Sequence, residues 1–260
     1  MNKLLLSLVL ATLLMAAPAF AIVNIESVRN ADMEQGFGGE VGTSFSAIAS
    51  GTDELRADAN GRVDWLSAGS HSFAVGRWAY SEVNDIHRRR AMAHIRHVKA
   101  LGGDGVASPY ATRYNWEVFG QTARDDYASL RQRSLAGTGI RLNRPFTPNA
   151  DHSIGAGVMS EWRQEESDEG RTHRNIGRGN FYLGLGAEVS SNIKIGSTGY
   201  FQPKLDEWDD FSAIGDLYVN KALTDYVSLR FVAAIVHNST PPPGVDSTRQ
   251  EYGFRVQYRF

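Results

Sequence analysis

From Glu54 to Trp65 the sequence changes character at every residue. Leu55, Ala57, Ala59, Gly61, Val63 and Trp65 form one set, and Glu54, Arg56, Asp58, Asn60, Arg62 and Asp64 the other. A helix, with its period near 3.6, would mix the two sets; an extended chain sends them to opposite faces. The segment is a strand with one apolar face and one charged face. The same alternation closes the chain, where Tyr252, Phe254, Val256, Tyr258 and Phe260 oppose Glu251, Gly253, Arg255, Gln257 and Arg259. Phe181 to Val189 sets Phe181, Leu183, Leu185, Ala187 and Val189 against Tyr182, Gly184, Gly186 and Glu188. Tyr110 to Thr122 sets Tyr110, Thr112, Tyr114, Trp116 and Val118 against Arg113, Asn115, Glu117 and Gln121. Val227 to Ile235 alternates too, although Val232, Ala234 and Val236 make its second face apolar.

Turn-forming clusters separate these runs, among them Gly51-Thr52-Asp53, Ser67-Ala68-Gly69-Ser70, Arg124-Asp125-Asp126, Ser190-Ser191-Asn192 and Leu223-Thr224-Asp225. Filling the intervals predicts about twelve strands, an even number as single-chain bacterial barrels have. They cover approximately 35–50, 54–66, 71–83, 86–99, 110–123, 128–143, 152–165, 176–189, 193–203, 211–222, 227–238 and 248–260. The third and fourth have the weakest register, because Trp78 and Tyr80 fall on one face while Phe73 and Val75 fall on the other. With both termini on the periplasmic side, the richer connections Glu166 to Asn175, Lys204 to Asp210 and Ser239 to Ser247 face outward, where loops are longer. Leu101 to Pro109 runs against that rule.

The first residues form a targeting segment. Lys3 precedes an apolar run from Leu4 to Ala17, and Ala19-Phe20-Ala21 is a small-x-small cleavage site. Residues 1–21 are thus expected to be a signal peptide, 22–34 a short periplasmic lead-in, and 35–260 the barrel. The absence of cysteine excludes a lipoprotein anchor, a disulfide framework and a cysteine zinc site. Net charge is −2, falling to −3 when Lys3 leaves, which excludes a nucleic-acid binder acting through a basic face. Mean hydropathy is −0.32 although glycines number 26 and aromatics make up 10%. A membrane barrel gives this balance, because only every second residue meets lipid.

A soluble barrel would alternate in the same way, with its charges outside. Three features favour the membrane. The apolar faces mix Gly and Ala with Leu and Val, where a soluble core would carry larger side chains. Trp65, Tyr110, Trp162, Tyr258 and Phe260 sit near strand ends, as interfacial girdles do. The chain also closes on an alternating aromatic strand. The expected fold is therefore all-β: a closed antiparallel transmembrane barrel in the bacterial outer membrane, meeting lipid and lipopolysaccharide.

Several motifs carry a resemblance. Ile22 to Arg29, His94-Ile95-Arg96-His97, Asn115 to Gln121, Leu135 to Arg141 and the ending after Pro242-Pro243-Gly244 are similar to the domain of unknown function 481 family, sometimes labelled a salt-induced outer-membrane protein. The resemblance implies an outer-membrane location and brings no agreed activity, cofactor or catalytic residue. Gly253, Val256, Tyr258 and Phe260 also resemble the terminal signal read by the barrel-assembly machinery.

The alternation places Glu40, Glu54, Arg56, Asp58, Arg62, Asp64, Glu117, Arg131, Arg133, Arg141, Glu161, Arg163, Glu188, Arg230, Glu251 and Arg255 in the lumen. Such residues could set the selectivity of a narrow solute channel. Their mixed signs favour a ladder of ion pairs that fills and stiffens the barrel, a structural envelope role, since a selective pore usually carries an excess of one sign. His94 and His97 have an odd separation that sends them to opposite faces of a strand, so they cannot share a metal. No metal or cofactor is expected. A phospholipase-like barrel enzyme is the alternative with chemistry, and it would use His237 with Ser239 or Ser247 near the outer rim.

Overall fold

The computed structural model describes residues 34–260 apart from 51, 84, 103–107, 127–129, 148–149, 168–169 and 243. The expected signal peptide, its cleavage residues Ala19 and Ala21, and the lead-in up to residue 33 lie outside the described residues. Twelve strands close into a single antiparallel barrel in which every strand pairs with its sequence neighbours and the last returns to the first. They are β1 (Gly36–Ser50), β2 (Thr52–Ser67), β3 (Ser70–Val83), β4 (Ile86–Ala100), β5 (Tyr114–Asp125) and β6 (Leu130–Thr147). β7 (Ala150–Ser167), β8 (Gly170–Ser190), β9 (Ile193–Lys204), β10 (Glu207–Ala222), β11 (Val227–Asn238) and β12 (Thr248–Arg259) complete the wall.

Both ends of the barrel sequence lie on one rim, called here the terminal end. The seam between β1 and β12 there is short, pairing Glu40, Val41, Gly42 and Thr43 with Arg259, Tyr258, Gln257 and Val256. Reciprocal backbone bonds between Gly39 and Phe260, 3.2 and 3.1 Å, extend it to the last residue. At Ala68-Gly69, a two-residue turn joins β2 to β3, and Gly69 takes the left-handed backbone (φ 68°) that such a turn demands.

The wall's outer face is greasy. β2 runs Leu55 to Trp65 over ten residue steps, roughly 33 Å of strand and roughly 25 Å of height at a tilt near 40°, which matches the apolar band of a membrane barrel. Aromatic side chains rim both edges. Phe37, Trp65, Tyr226, Tyr258 and Phe260 are exposed at the terminal end, and Trp78, Trp162, Trp208 and Tyr252 towards the other. Phe37 and Trp65 meet edge to face at 6.4 Å, and Trp208 leans on Phe181 and Phe201 at 6.3 and 6.4 Å. One stretch of the outer wall is notched where Gly61, Ala74, Gly76, Ala93 and Gly120 cluster, leaving a groove of ≈ 670 Å³ open to the lipid side.

Three expectations about connections need correction. The outward loop expected from Glu166 to Asn175 is instead the tip of the β7–β8 hairpin, whose ladder continues to Ser167 opposite Gly170. Lys204 to Asp210 is a tight turn, with β10 already begun at Glu207 and a register irregularity before Phe211. β5 starts at Tyr114, because Pro109 opens a 3₁₀ turn over Pro109–Ala111 that takes Tyr110 and Thr112 out of the strand. Tyr110 is thus not a girdle residue: its hydroxyl lies 2.5 Å from His71 Nδ1, on the inner side of the barrel. The described end of the long connection, residues 108–112, is therefore not a plain turn: its 3₁₀ turn carries Tyr110 inward. Thr112 and Asn143 pin it, with Asn143 Nδ2 donating to the Thr112 carbonyl at 3.1 Å.

Candidate functional site

The lumen is where side chains of opposite character are forced together, since strand alternation drives half of each strand inward whatever its polarity. From β4 to β9 the inward residues are buried almost without exception. Glu161 of β7 has no exposed surface and accepts from three guanidinium groups: Arg133 Nη2 at 2.9 Å, Arg163 Nε at 2.8 Å and Arg178 Nε at 3.0 Å. Arg178 reaches on to Asp210 Oδ1 at 3.0 Å, tying β6, β7, β8 and β10 together. Asp125 holds Arg90 at 3.3 Å and Arg249, across the barrel from β12, at 2.9 Å. Glu117 accepts from Arg96 at 3.2 Å and from the Tyr182 hydroxyl at 2.8 Å. Nearer the terminal end, Asp64 chelates Arg62 and accepts from His71 Nε2 at 2.8 Å. Charge-assisted bonds of this kind are the strong ones, and burial behind the wall screens them little.

Apolar side chains share this interior. Phe73, Val75, Met92 and Ala123 form one buried cluster, Phe119, Leu135 and Met159 a second, and Tyr182, Tyr200 and Ile214 a third. Arginines lie over the rings, with Arg62 4.6 Å from the Phe73 centroid and Arg96 5.0 Å from that of Phe119.

The remaining wall is different. On β10 to β12 and on β1 to β3 many inward side chains are only part-buried: Glu40, Gly42, Arg56, Asp58, Asn60, Arg77, Tyr218, Asn220, Val232, Ala234, Gly253 and Arg255. Buried there are Arg62, Asp64 and Leu66 on β2, His71, Phe73, Val75, Ala79 and Ser81 on β3, Asp210, Ser212, Ile214 and Asp216 on β10, Arg230 on β11 and Gln257 on β12. A methyl group added at Gly253 would meet no atom within 4 Å. The part-exposed inward side chains are thus concentrated on β1, β2, β11 and β12, beside the β1–β12 seam.

Against the expected lumen set, Arg62, Asp64, Glu117, Arg133, Arg141, Glu161, Arg163 and Arg230 are inward and buried. Glu40, Arg56, Asp58 and Arg255 are inward and part-exposed. Glu188 sits at the terminal rim, its side chain 53% exposed and paired with Lys194 at 2.8 Å. Arg131 is a correction. A register shift between Leu130 and Gln132 turns both Leu130 and Arg133 inward and leaves Arg131 exposed. The side chains of Glu54 and Glu251 lie outside the described residues. His71, Arg77, Arg90, Arg96, Asp125, Arg178 and Asp210 belong to the lumen and were not in that set. Arg178 and Asp216 were within reach of simple extension, since both fall in strands expected from the sequence, at 176–189 and 211–222.

His94 faces inward, with Gln121 Oε1 3.2 Å from its Nδ1, while His97 faces outward beside Ser72 and Trp116. At the expected hydrolase position, His237 pairs with the Thr248 hydroxyl at 2.8 Å and Ser239 Oγ accepts from the Phe211 amide at 2.8 Å. Neither serves a serine nucleophile. A serine–histidine contact does occur at the opposite end, Ser72 Oγ to His97 Nδ1 at 2.8 Å on the outer wall, where the Trp116 ring meets the imidazole edge to face.

In comparisons with known proteins, the family model described as "Protein of unknown function, DUF481" matches residues 108–260. Three of the motifs behind the resemblance, at 115–121, 135–141 and the ending, fall inside that match; 22–29 and 94–97 precede it. Among solved structures the chain is similar to the NanC porin, with 10% identity, 86% of this chain and 98% of that one covered, and a TM-score of 0.49. It is similar to the COG4313 outer membrane channel from Pseudomonas putida F1, with 8% identity, 92% and 98% coverage, and a TM-score of 0.48. The translocator domain of autotransporter NalP from Neisseria meningitidis shares 9% identity over 88% of this chain and 89% of that one, with a TM-score of 0.44. Comparison with curated proteins gives no match.

Proposed function

The chain belongs to the DUF481 family of proteins of unknown function, and we propose that it works as a narrow solute channel in the bacterial outer membrane, with its terminal end in the periplasm. One observation carries the reading: the lumen is filled unevenly. The β4–β9 side is packed by ion clusters and rings, whereas the wall beside the seam is lined by small or part-exposed residues such as Asn220, Ala234 and Gly253. A purely structural ladder would have no reason to leave one side thin, since voids forfeit packing energy. The aromatic rims and apolar outer face support insertion in lipid, and the alternating last strand with Gly253, Val256, Tyr258 and Phe260 suits delivery by the barrel-assembly machinery.

Refolded protein in a planar bilayer is expected to pass small, discrete currents. Gly253→Trp would put an indole against the thinly lined wall beside the seam and cut single-channel conductance severalfold, while heat-modifiable gel mobility reports that the barrel still closes. A closed barrel that passes no current would sink the channel reading and leave the stiffened scaffold. Unchanged conductance in Gly253→Trp would place the path elsewhere than beside the seam. The membrane assignment has its own check: the mature protein should need detergent, and staying dispersed in plain buffer would defeat it.

A further inference from the structure

We propose that the outer wall holds one phospholipid of the periplasmic leaflet, with an acyl chain in the groove across β2–β5 and the phosphate on Lys99, His97 and Ser72. The inference rests on the membrane placement above, with the terminal end in the periplasm, and not on the passage of current. Gly61 and Gly76 are direct cross-strand partners on the outward face, Gly76 continues to Ala93, and Ile95 opposes Gly120. Glycine inside a strand weakens it, and often marks a bulge, a bend or a site where a ligand approaches closely. The ladders joining β2 to β5 run without a register shift, so no bulge calls for these glycines. Close packing within the barrel does not call for them either. A Cβ on Gly76 would meet no atom within 4 Å, and one on Gly61 only Val41 Cγ1 at 4.0 Å. The ≈ 670 Å³ left open has an apolar lining, and it lies within the range of about 300–1,000 Å³ common to ligand clefts.

The edge of the groove nearer the terminal end is polar. On the same outward face, next to Ala74 and Ile95, Ser72 opposes His97, and the following pair sets Ser70 opposite Lys99. His97 Nδ1 lies 2.8 Å from the Ser72 hydroxyl, and its Nε2 has no partner among the described residues. Lys99 is exposed and likewise has no partner among the described residues. A lysine turned to the lipid side is costly in hydrocarbon and settles at headgroup level. Trp65 and Trp116, the cross-strand neighbours of Ser72 and Lys99, flank the patch. The Trp116 indole donates to Thr138 Oγ1 at 2.8 Å, and such rings sit at the membrane–water interface. An ammonium, an imidazole and a hydroxyl beside an apolar groove suit a molecule with an anionic oxygen head and an apolar tail.

Native mass spectrometry of the refolded mature chain, released from detergent micelles doped with palmitoyl-oleoyl phosphatidylglycerol, tests this. One lipid per barrel is expected to survive release. Lys99→Gln, which removes the cation, and Gly76→Phe, which fills the groove, should each cut retention severalfold. Lys194→Gln at the same rim and Leu183→Phe on the outer face of β8 lie away from the groove and should retain the wild-type level. Heat-modifiable gel mobility checks that each barrel is closed, and exposed Lys99 gives a reading independent of Gly76. Equal retention in all variants would be ordinary surrounding lipid and overturns the site, as does a wild type that carries none. Dimers in place of lipid-bound monomers, abolished by Gly76→Phe, would give the groove to a second copy of the chain. A lipid-bound barrel that passes no current keeps this inference and removes the channel. A chain that stays dispersed in plain buffer removes the membrane placement and the lipid site with it.

Discussion

Glu161→Ala is expected to destabilise the folded barrel by about 3–5 kcal/mol, the cost of breaking a buried ion cluster by removing one partner. The carboxylate accepts from Arg133, Arg163 and Arg178 at 2.8 to 3.0 Å and has no exposed surface. Removing it leaves three guanidinium groups crowded in the same volume, of which Arg178 keeps its bond to Asp210. Their mutual repulsion is then unscreened by water. Glu161→Gln should cost less, because the amide oxygen still accepts while the charge is lost. Urea titration of refolded protein in detergent, read by tryptophan emission and gel mobility, gives the midpoints. If Glu161→Ala unfolds at the wild-type midpoint, the cluster is not what braces the β4–β9 wall. The surface pair Lys194–Glu188 supplies the contrast: it is 44% and 53% exposed, and its loss should cost under about 1 kcal/mol.

The uneven lumen also accounts for what could be read from the residues alone. Alternation is informative only where the two faces differ. On β2 the outward face is apolar and the inward face charged, and its register was legible residue by residue. β12 and β5 beyond Tyr114 were legible for the same reason. On β3 the inward face carries Phe73 and Val75 beside His71 and Arg77, so the contrast disappears and the register cannot be read. Met92 does the same on β4, and the run Arg88-Arg89-Arg90 hides which arginine turns inward. Arg90 and Arg96 were lost in that way. Arg131 was misplaced by a bulge, which inserts a residue and inverts everything beyond it. Tyr110 looked like a girdle residue because the strand pattern runs back through it, and only the Pro109 turn removes it. Ion partners across the barrel, such as Asp125 with Arg249, depend on closure and have no local trace in the sequence.

Gly155→Val tests whether the packed wall is as tight as its rings imply. Gly155 faces inward on β7, and a Cβ there would lie 1.9 Å from Tyr182 Cε1 and 2.1 Å from Cζ. The ring has nowhere to go. Its hydroxyl donates to Glu117 at 2.8 Å, Tyr200 sits 5.2 Å away, and Arg141 and Arg96 lie over it at 5.9 and 6.0 Å. Moving Tyr182 therefore gives up a charge-assisted bond and two cation–ring contacts together. The expected loss is about 3 kcal/mol, the upper end for overpacking a filled interior. Gly76→Val is the matched control: Gly76 faces lipid, and an added Cβ meets nothing within 4 Å. With its better strand propensity, valine there should leave the urea midpoint unchanged or raise it slightly. Adding Tyr182→Ala to Gly155→Val should recover part of the loss, because the two substitutions share one volume and cannot be additive. Equal midpoints for Gly155→Val and Gly76→Val would mean that the β4–β9 wall yields as readily as the lipid face, and the division of the lumen into a packed side and an open side would fail.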